Sequence, residues 1–231
     1  MSYSSGGQGH ILKRYDEDMR KLQKRVMKIG ALVHEQMASL RQALTQNDEQ
    51  IGEQVIEADR SIDLLEVKVD KFIVRLLARR SPMGSDLRFI MTASRIVTDL
   101  ERLGDETAQI ARVLAKEYAN LGACRGRDLL QELRTILQLL IDLLDQAMQW
   151  FEQQQYQAAL ELASGKLPPV TELQHALSRW AGCAEEDTAE VAQAVNRVLI
   201  QRSLERSLRC IQNMGEHVIF LCTGKDVRHK A

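Results

Sequence analysis

The chain has 231 residues, of which 45% are hydrophobic, 4% are aromatic and three are proline. That is enough apolar material for one large core or two small ones, and few prolines beside abundant Ala, Leu, Glu, Gln and Arg favour helix almost throughout. Lys plus Arg number 31 against 32 for Asp plus Glu, a formal charge of -1, which excludes the basic footprint of a general nucleic-acid binder.

The opening "MSYSSGGQGH" is polar and rich in Ser and Gly, so residues 1–11 read as a disordered start without the apolar segment of a signal peptide. A first helix is predicted from about Leu12 to Thr45, because Leu22, Val26, Ile29, Leu32, Val33, Met37 and Leu40 recur at helical spacing. "QND" at Gln46–Asp48 breaks it, and a second helix runs to about Arg79. "RRSPMGSD" supplies Pro82 and Gly84 for a tight turn, then Ser85 or Asp86 to cap a third helix reaching Tyr118. "ANLGACRGRD" has the weakest periodicity and reads as a join over 119–127.

A fourth helix is predicted from about Asp128 to Gln155. Gly165 and the pair Pro168–Pro169 interrupt the chain beyond it, and a shorter fifth helix starts there and ends near Ala181. The sixth spans about Asp187 to Cys222, closed by "TGKD". "LERLGDETAQIA" at Leu100 and "LERSLRCIQNMG" at Leu204 are 104 residues apart, and the same shift places Ala43 on Ala147. The fold expected is all-α: two tandem three-helix bundles, 12–118 and 128–231. No run approaches the roughly 18 apolar residues of a spanning helix, so the protein is expected in the cytoplasm with any membrane role through a partner. Cys124, Cys183, Cys210 and Cys222 form no CxxC pair and read as reduced structural thiols.

Two acidic pairs stand out. "ADRSIDLLE" carries Asp59 and Asp63, and "TDLERLGDE" carries Glu101 and Asp105, each pair one helical turn apart on one face. Both pairs flank an apolar stripe, and their centres are equally distant in sequence from Pro82. An antiparallel hairpin therefore carries four carboxylates to one level. Such a cluster needs protons, basic partners or cations; oxygen ligands without His or Cys favour Mg, Ca, Mn or Fe over Zn. The alternative is a salt-bridged pair of faces with Arg60, Lys68 and Arg102 neutralising the acids.

Other signals are weaker. His34 in "VHEQMASL" lacks the second His of a HExxH site, and Glu172 with His175 is a single ExxH, so neither builds a zinc or di-iron centre. No phosphate-binding glycine loop, nucleophile elbow or Cys–His arrangement points to catalysis. Arg95 and Arg102 share a helix face and read as makers of salt bridges. Trp150, Phe151 and Tyr156 read as bundle-end packing.

The stretches "VIEADRSIDLLEVKVD", "SDLRFIMTASRIVTDLERLGDETAQIA" and "EHVIFLCTGKDVRH" resemble the PhoU family of phosphate-uptake regulators, over about Tyr15 to His229. The resemblance implies two similar three-helix bundles, each with two E/DxxxD motifs for a multinuclear metal cluster. Asp59 with Asp63 and Glu101 with Asp105 match those motifs in the first half. The second half departs: Glu205–Arg209 replaces one motif, and Ala163–Leu167 or Lys166–Val170 stands at the other, with no carboxylate. One metal-competent bundle is therefore expected beside one that has lost its site. The resemblance further implies a cytoplasmic, non-enzymatic, homodimeric negative regulator contacting a phosphate ABC transporter, through its ATPase subunit, and a membrane sensor histidine kinase. A metal or phosphate storage protein and a metal-free scaffold are the alternatives.

Overall fold

The computed structural model describes residues 6–46, 49–117, 124–185 and 191–227. They form α1 (Gly6–Gln46), α2 (Glu49–Arg80), α3 (Gly84–Glu117), α4 (Cys124–Gln153), α5 (Tyr156–Ala163), α6 (Pro168–Glu185) and α7 (Val191–Thr223), and the protein is all-α. In the first three-helix bundle α1, α2 and α3 pack on one another. In the second, α4 and α7 pack together, with α6 standing where the sequence predicts a fifth helix and α5 added in the stretch before it. The bundles meet along α3 against α7 and α1 against α4.

The apolar positions explain this packing. Leu22, Val26, Ile29, Val33, Met37, Leu40 and Leu44 recur every three or four residues on α1, and all are at most 2% exposed. Burying each such side chain contributes about 1.5–3 kcal/mol before the entropy of ordering the chain is subtracted. On α3 the buried set is wider, adding Ile96, Leu103, Ile110 and Val113 to Ile90, Val97, Leu100 and Leu114, because this helix faces α1 and α2 on one side and α7 on the other. Phe89 stacks on Phe151 across the two bundles with ring centroids 5.7 Å apart. Nearby, the buried Asp99 Oδ2 and His217 Nε2 lie 2.9 Å apart, and Asn213 donates to the other oxygen of Asp99 at 3.4 Å.

The turn between α2 and α3 forms as its residues require. Ser81 (φ 43°) and Gly84 (φ 60°) both take left-handed backbone, and Ser81 N–H closes α2 by donating to the Leu77 carbonyl at 3.2 Å. Arg79 and Arg80 in the last turn of α2 and Asp86 in the first turn of α3 complement the helix dipoles. Arg80 also pairs with Asp18 of α1 at 3.0 Å, tying the α2–α3 hairpin to α1.

The structure departs from expectation in three places. α1 begins at Gly6, inside the stretch read as disordered, because no proline interrupts the chain before the packed turns and a helix propagates readily from them. α4 ends at Gln153, and Gln154 turns left-handed (φ 53°), producing the additional helix α5. α6 runs to Glu185, past the predicted end near Ala181. The predicted break at 47–48 and most of the predicted join at 119–127 lie outside the described residues. Cys210 and Cys222 are free thiols, and burial pushes Cys210 up to about 12.

Candidate metal centre

The hairpin brings the acids together. Asp59 and Asp63 of α2 and Asp105 of α3 each offer a carboxylate oxygen, and these oxygens lie within 4.8 Å of one another. Glu101 stands outside this trio but close enough to feel it: its acidity responds to Asp105, Glu66 and Asp63. Glu66 is a fifth acid of the cluster that the pairwise motif misses. It lies three residues after Asp63 and seven after Asp59, so the same helical periodicity places it on that face.

The acidities record how crowded the ledge is. Burial first and Asp63 second hold Asp59 above its usual range, with Arg112 only partly offsetting them. Burial, then Asp59 and Asp63, raise Asp105. Burial, then Asp70, Asp63 and Asp105, raise Glu66. Glu101 is pushed up to about 7, first by burial and next by Asp105. Each of these acids is more easily protonated than in water, because it is partly desolvated and its neighbours are also negative.

The basic residues expected to neutralise the cluster do little of that work. Arg60 pairs with Glu57 at 3.0 Å on an open surface. Arg102 lies 4.0 Å from Asp99 and only partly offsets Glu66 and Glu101. Lys68 is exposed, and its backbone carbonyl accepts from Arg25 at 3.3 Å. The base that reaches the cluster is Arg112 of α3, 3.3 Å from Asp59 Oδ2.

Two buried oxygens decide what the arrangement can hold. Asp59 is 6% exposed, and its Oδ1 has no donor in hydrogen-bond geometry; Gln36 of α1 is 2% exposed, and its Oε1 has none either. The Gln36 amide is held in place because its Nε2 donates to the Val55 carbonyl at 3.1 Å. Both oxygens face the position where a Cβ on Gly104 would stand, at 3.5 and 3.3 Å, with Ile62 Cδ1 at 3.1 Å. A side chain at 104 would crowd this space, so glycine there keeps α3 close to two acceptors. Buried acceptors without donors normally cost free energy, and a hard cation satisfies acceptors of this kind without a proton. The donor set therefore fits an oxygen-preferring metal ion.

The corresponding part of the second bundle has different chemistry. Glu205 accepts from Gln201 at 2.9 Å, Arg209 is exposed, and Ala163 and Leu167 flank the bend carrying Gly165 (φ 68°). The remaining sequence candidates have local roles. His34 Nδ1 lies 2.8 Å from Asp145 of α4, Arg95 covers the Phe220 ring at 5.1 Å, and Trp150 and Phe151 are buried while Tyr156 is 40% exposed. Glu172 and His175 are exposed on α6.

Known proteins share this architecture. The family model described as the PhoU domain matches residues 26–114, which include all five acids. A phosphate-specific transport system accessory protein PhoU homolog of Pseudomonas aeruginosa is 32% identical over 95% of this chain and 90% of its own length. The phosphate-specific transport system accessory protein PhoU of Escherichia coli K12 is 25% identical over the same share of each. A crystal structure of PhoU from Pseudomonas aeruginosa superposes with a TM-score of 0.79 at 30% identity, covering 91% of this chain and all of that one. A phosphate transport system regulatory protein PhoU from Streptococcus pneumoniae, at 24% identity, has the same fold with a TM-score of 0.77 over 92% of this chain and 99% of its own.

Proposed function

The chain belongs to the PhoU family, and from that membership we propose that it is a cytoplasmic, non-catalytic regulator of phosphate uptake. Its helix faces engage a phosphate ABC transporter, through the ATPase subunit, and a membrane sensor histidine kinase, and it signals that phosphate is sufficient. Support comes from relatives named as phosphate transport accessory proteins and matched over nearly the whole chain. Among the described residues no helix is long and apolar enough to cross a membrane.

In this reading Asp59, Asp63, Glu101 and Asp105, with Glu66 beside them, hold one or more metal ions on the first bundle. The single observation that carries it is the buried Oδ1 of Asp59, an acceptor without a donor inside a group of carboxylates. When bound, the cation supplies the positive charge that offsets repulsion among the acids. The chain's own part is to position them: the hairpin sets their level, Gln36 presents a neutral oxygen, and Arg112 orients Asp59 from the side. The same cluster then stiffens the α2–α3 face offered to a partner.

Elemental analysis of purified protein tests the site. The wild type is expected to carry a divalent or iron-type ion that Asp59→Ala/Asp105→Ala loses; equal metal content in both removes the site. Pull-down from phosphate-replete cells tests the adaptor role. Recovery of the transporter ATPase or the sensor kinase is expected, and recovery of neither at any phosphate level overturns the adaptor and favours a storage protein.

A further inference from the structure

Between α3 and α7 lies a cleft of about 360 Å³, within the size range of small-ligand sites. Asp105, Glu106, Gln109 and Arg112 line it from α3, and Arg202, Ser203 and Arg206 line it from α7. Three arginines and two carboxylates thus line one concave space from two helices.

Two of these arginines are anchored without being used up. Arg206 directs Nη1 at Glu106, 3.0 Å away, and the Glu106 side chain is only 14% exposed. Arg112 directs Nη2 at Asp59 at 3.3 Å. A guanidinium carries five N–H donors in a rigid fork and no acceptor, so each retains donors for a second anion. Arg202 is exposed, and among the described residues no carboxylate pairs with it. Glu106 is already neutralised by Arg206, and Asp105 belongs also to the acid cluster.

We propose that this cleft binds a small tetrahedral oxyanion of the phosphate type. Arg202 and Arg206 make the main charge-assisted contacts, Arg112 closes the α3 side, and the Gln109 amide and Ser203 hydroxyl add neutral donors. A second cationic region is a poorer host. Arg25, Lys28, Lys68, Lys71 and Arg75 line a groove of about 420 Å³ beside α1 and α2. There three of the five cations are lysines, whose ammonium groups on flexible stems attract an anion without fixing its geometry, and Arg25 lies over the Phe72 ring at 4.3 Å.

The cleft and the acid cluster share Asp105 and Arg112. Neutralising Asp59 and Asp105 with a cation lowers the competing negative charge and frees Arg112 for the cleft, so metal and oxyanion should bind cooperatively. This coupling rests on the metal reading proposed for the first bundle; the cleft itself does not.

Calorimetric titration of the full chain with inorganic phosphate at low ionic strength, first after chelator treatment and then with Mn2+ or Mg2+, tests both. Saturable one-to-one binding is expected without metal, weakened at least tenfold in Arg202→Gln and in Arg206→Gln and unchanged in Lys71→Gln/Arg75→Gln. No saturable binding, or weakening by the Lys71/Arg75 pair instead, overturns the cleft. Phosphate binding that persists while no metal binds supports the cleft and removes the metal reading; metal binding without phosphate binding overturns the cleft alone.

Discussion

Asp59 shows how much a single side chain depends on its surroundings. In the sequence it is one of a pair at helical spacing; in the fold it is buried, leans on Arg112 and leaves an oxygen without a donor. Local periodicity marks Asp59, Asp63, Glu101 and Asp105 as candidates, of which the fold brings Asp59, Asp63 and Asp105 within 4.8 Å, and extended to i+7 it also reaches Glu66. Gln36 and Arg112 are not legible that way, because each meets Asp59 only through packing of α1 on α2 or α2 on α3. For the same reason Arg60, a near neighbour in sequence, is bonded to Glu57 instead. Glu101 gives a pH test. Its folded-state value of about 7 lies above the ordinary 4.5, so the folded protein binds more protons than the unfolded chain between those values. The stability this group contributes to the metal-free protein should therefore be complete below about pH 4.5, fall as pH rises to about 7, and change no further above it. A loss on the order of 2–4 °C in Tm is expected, reduced in Glu101→Gln. Thermal melts in chelator across that range would rule the idea out if the variant kept the full slope.

At the scale of the element, the helices of the first bundle follow their apolar spacing, and the turn around Pro82 is marked by its own residues. The second bundle is harder to read. Gln154 takes a left-handed conformation that nothing in its side chain announces, and α5 exists because that turn redirects the chain onto α7. The approach is close: a Cβ on Gly215 of α7 would stand 3.0 Å from the Ala159 carbonyl and 3.3 Å from the Ala163 amide, both backbone. Gly215→Ala should cost about 1–3 kcal/mol, since two backbones must separate. A Cβ on Gly30 would meet Met148 Cε at 2.6 Å, but that is the end of a flexible side chain, so Gly30→Ala should be much milder. Urea unfolding of the two variants compares them directly; equal losses would show that α5 yields as easily as a methionine.

Over the whole molecule, the 104-residue repeat anticipates two similar units, and the pairs it aligns are buried alike: Leu100 with Leu204, Ala43 with Ala147. Self-similarity cannot specify how two units meet, because that depends on surfaces the repeat does not share. Here α3 decides it by packing against α1, α2 and α7 together, with Asp99–His217 and Phe89–Phe151 among its contacts across the seam.

That position has a consequence for motion. A rod enclosed on three sides has amides that open only when most of the molecule does, whereas the eight residues of α5 bury two side chains, Ala159 and Leu162, and need less of the molecule to open. Deuterium should accordingly enter α5 well before the middle of α3, making α3 the slow clock against which opening of either half is timed.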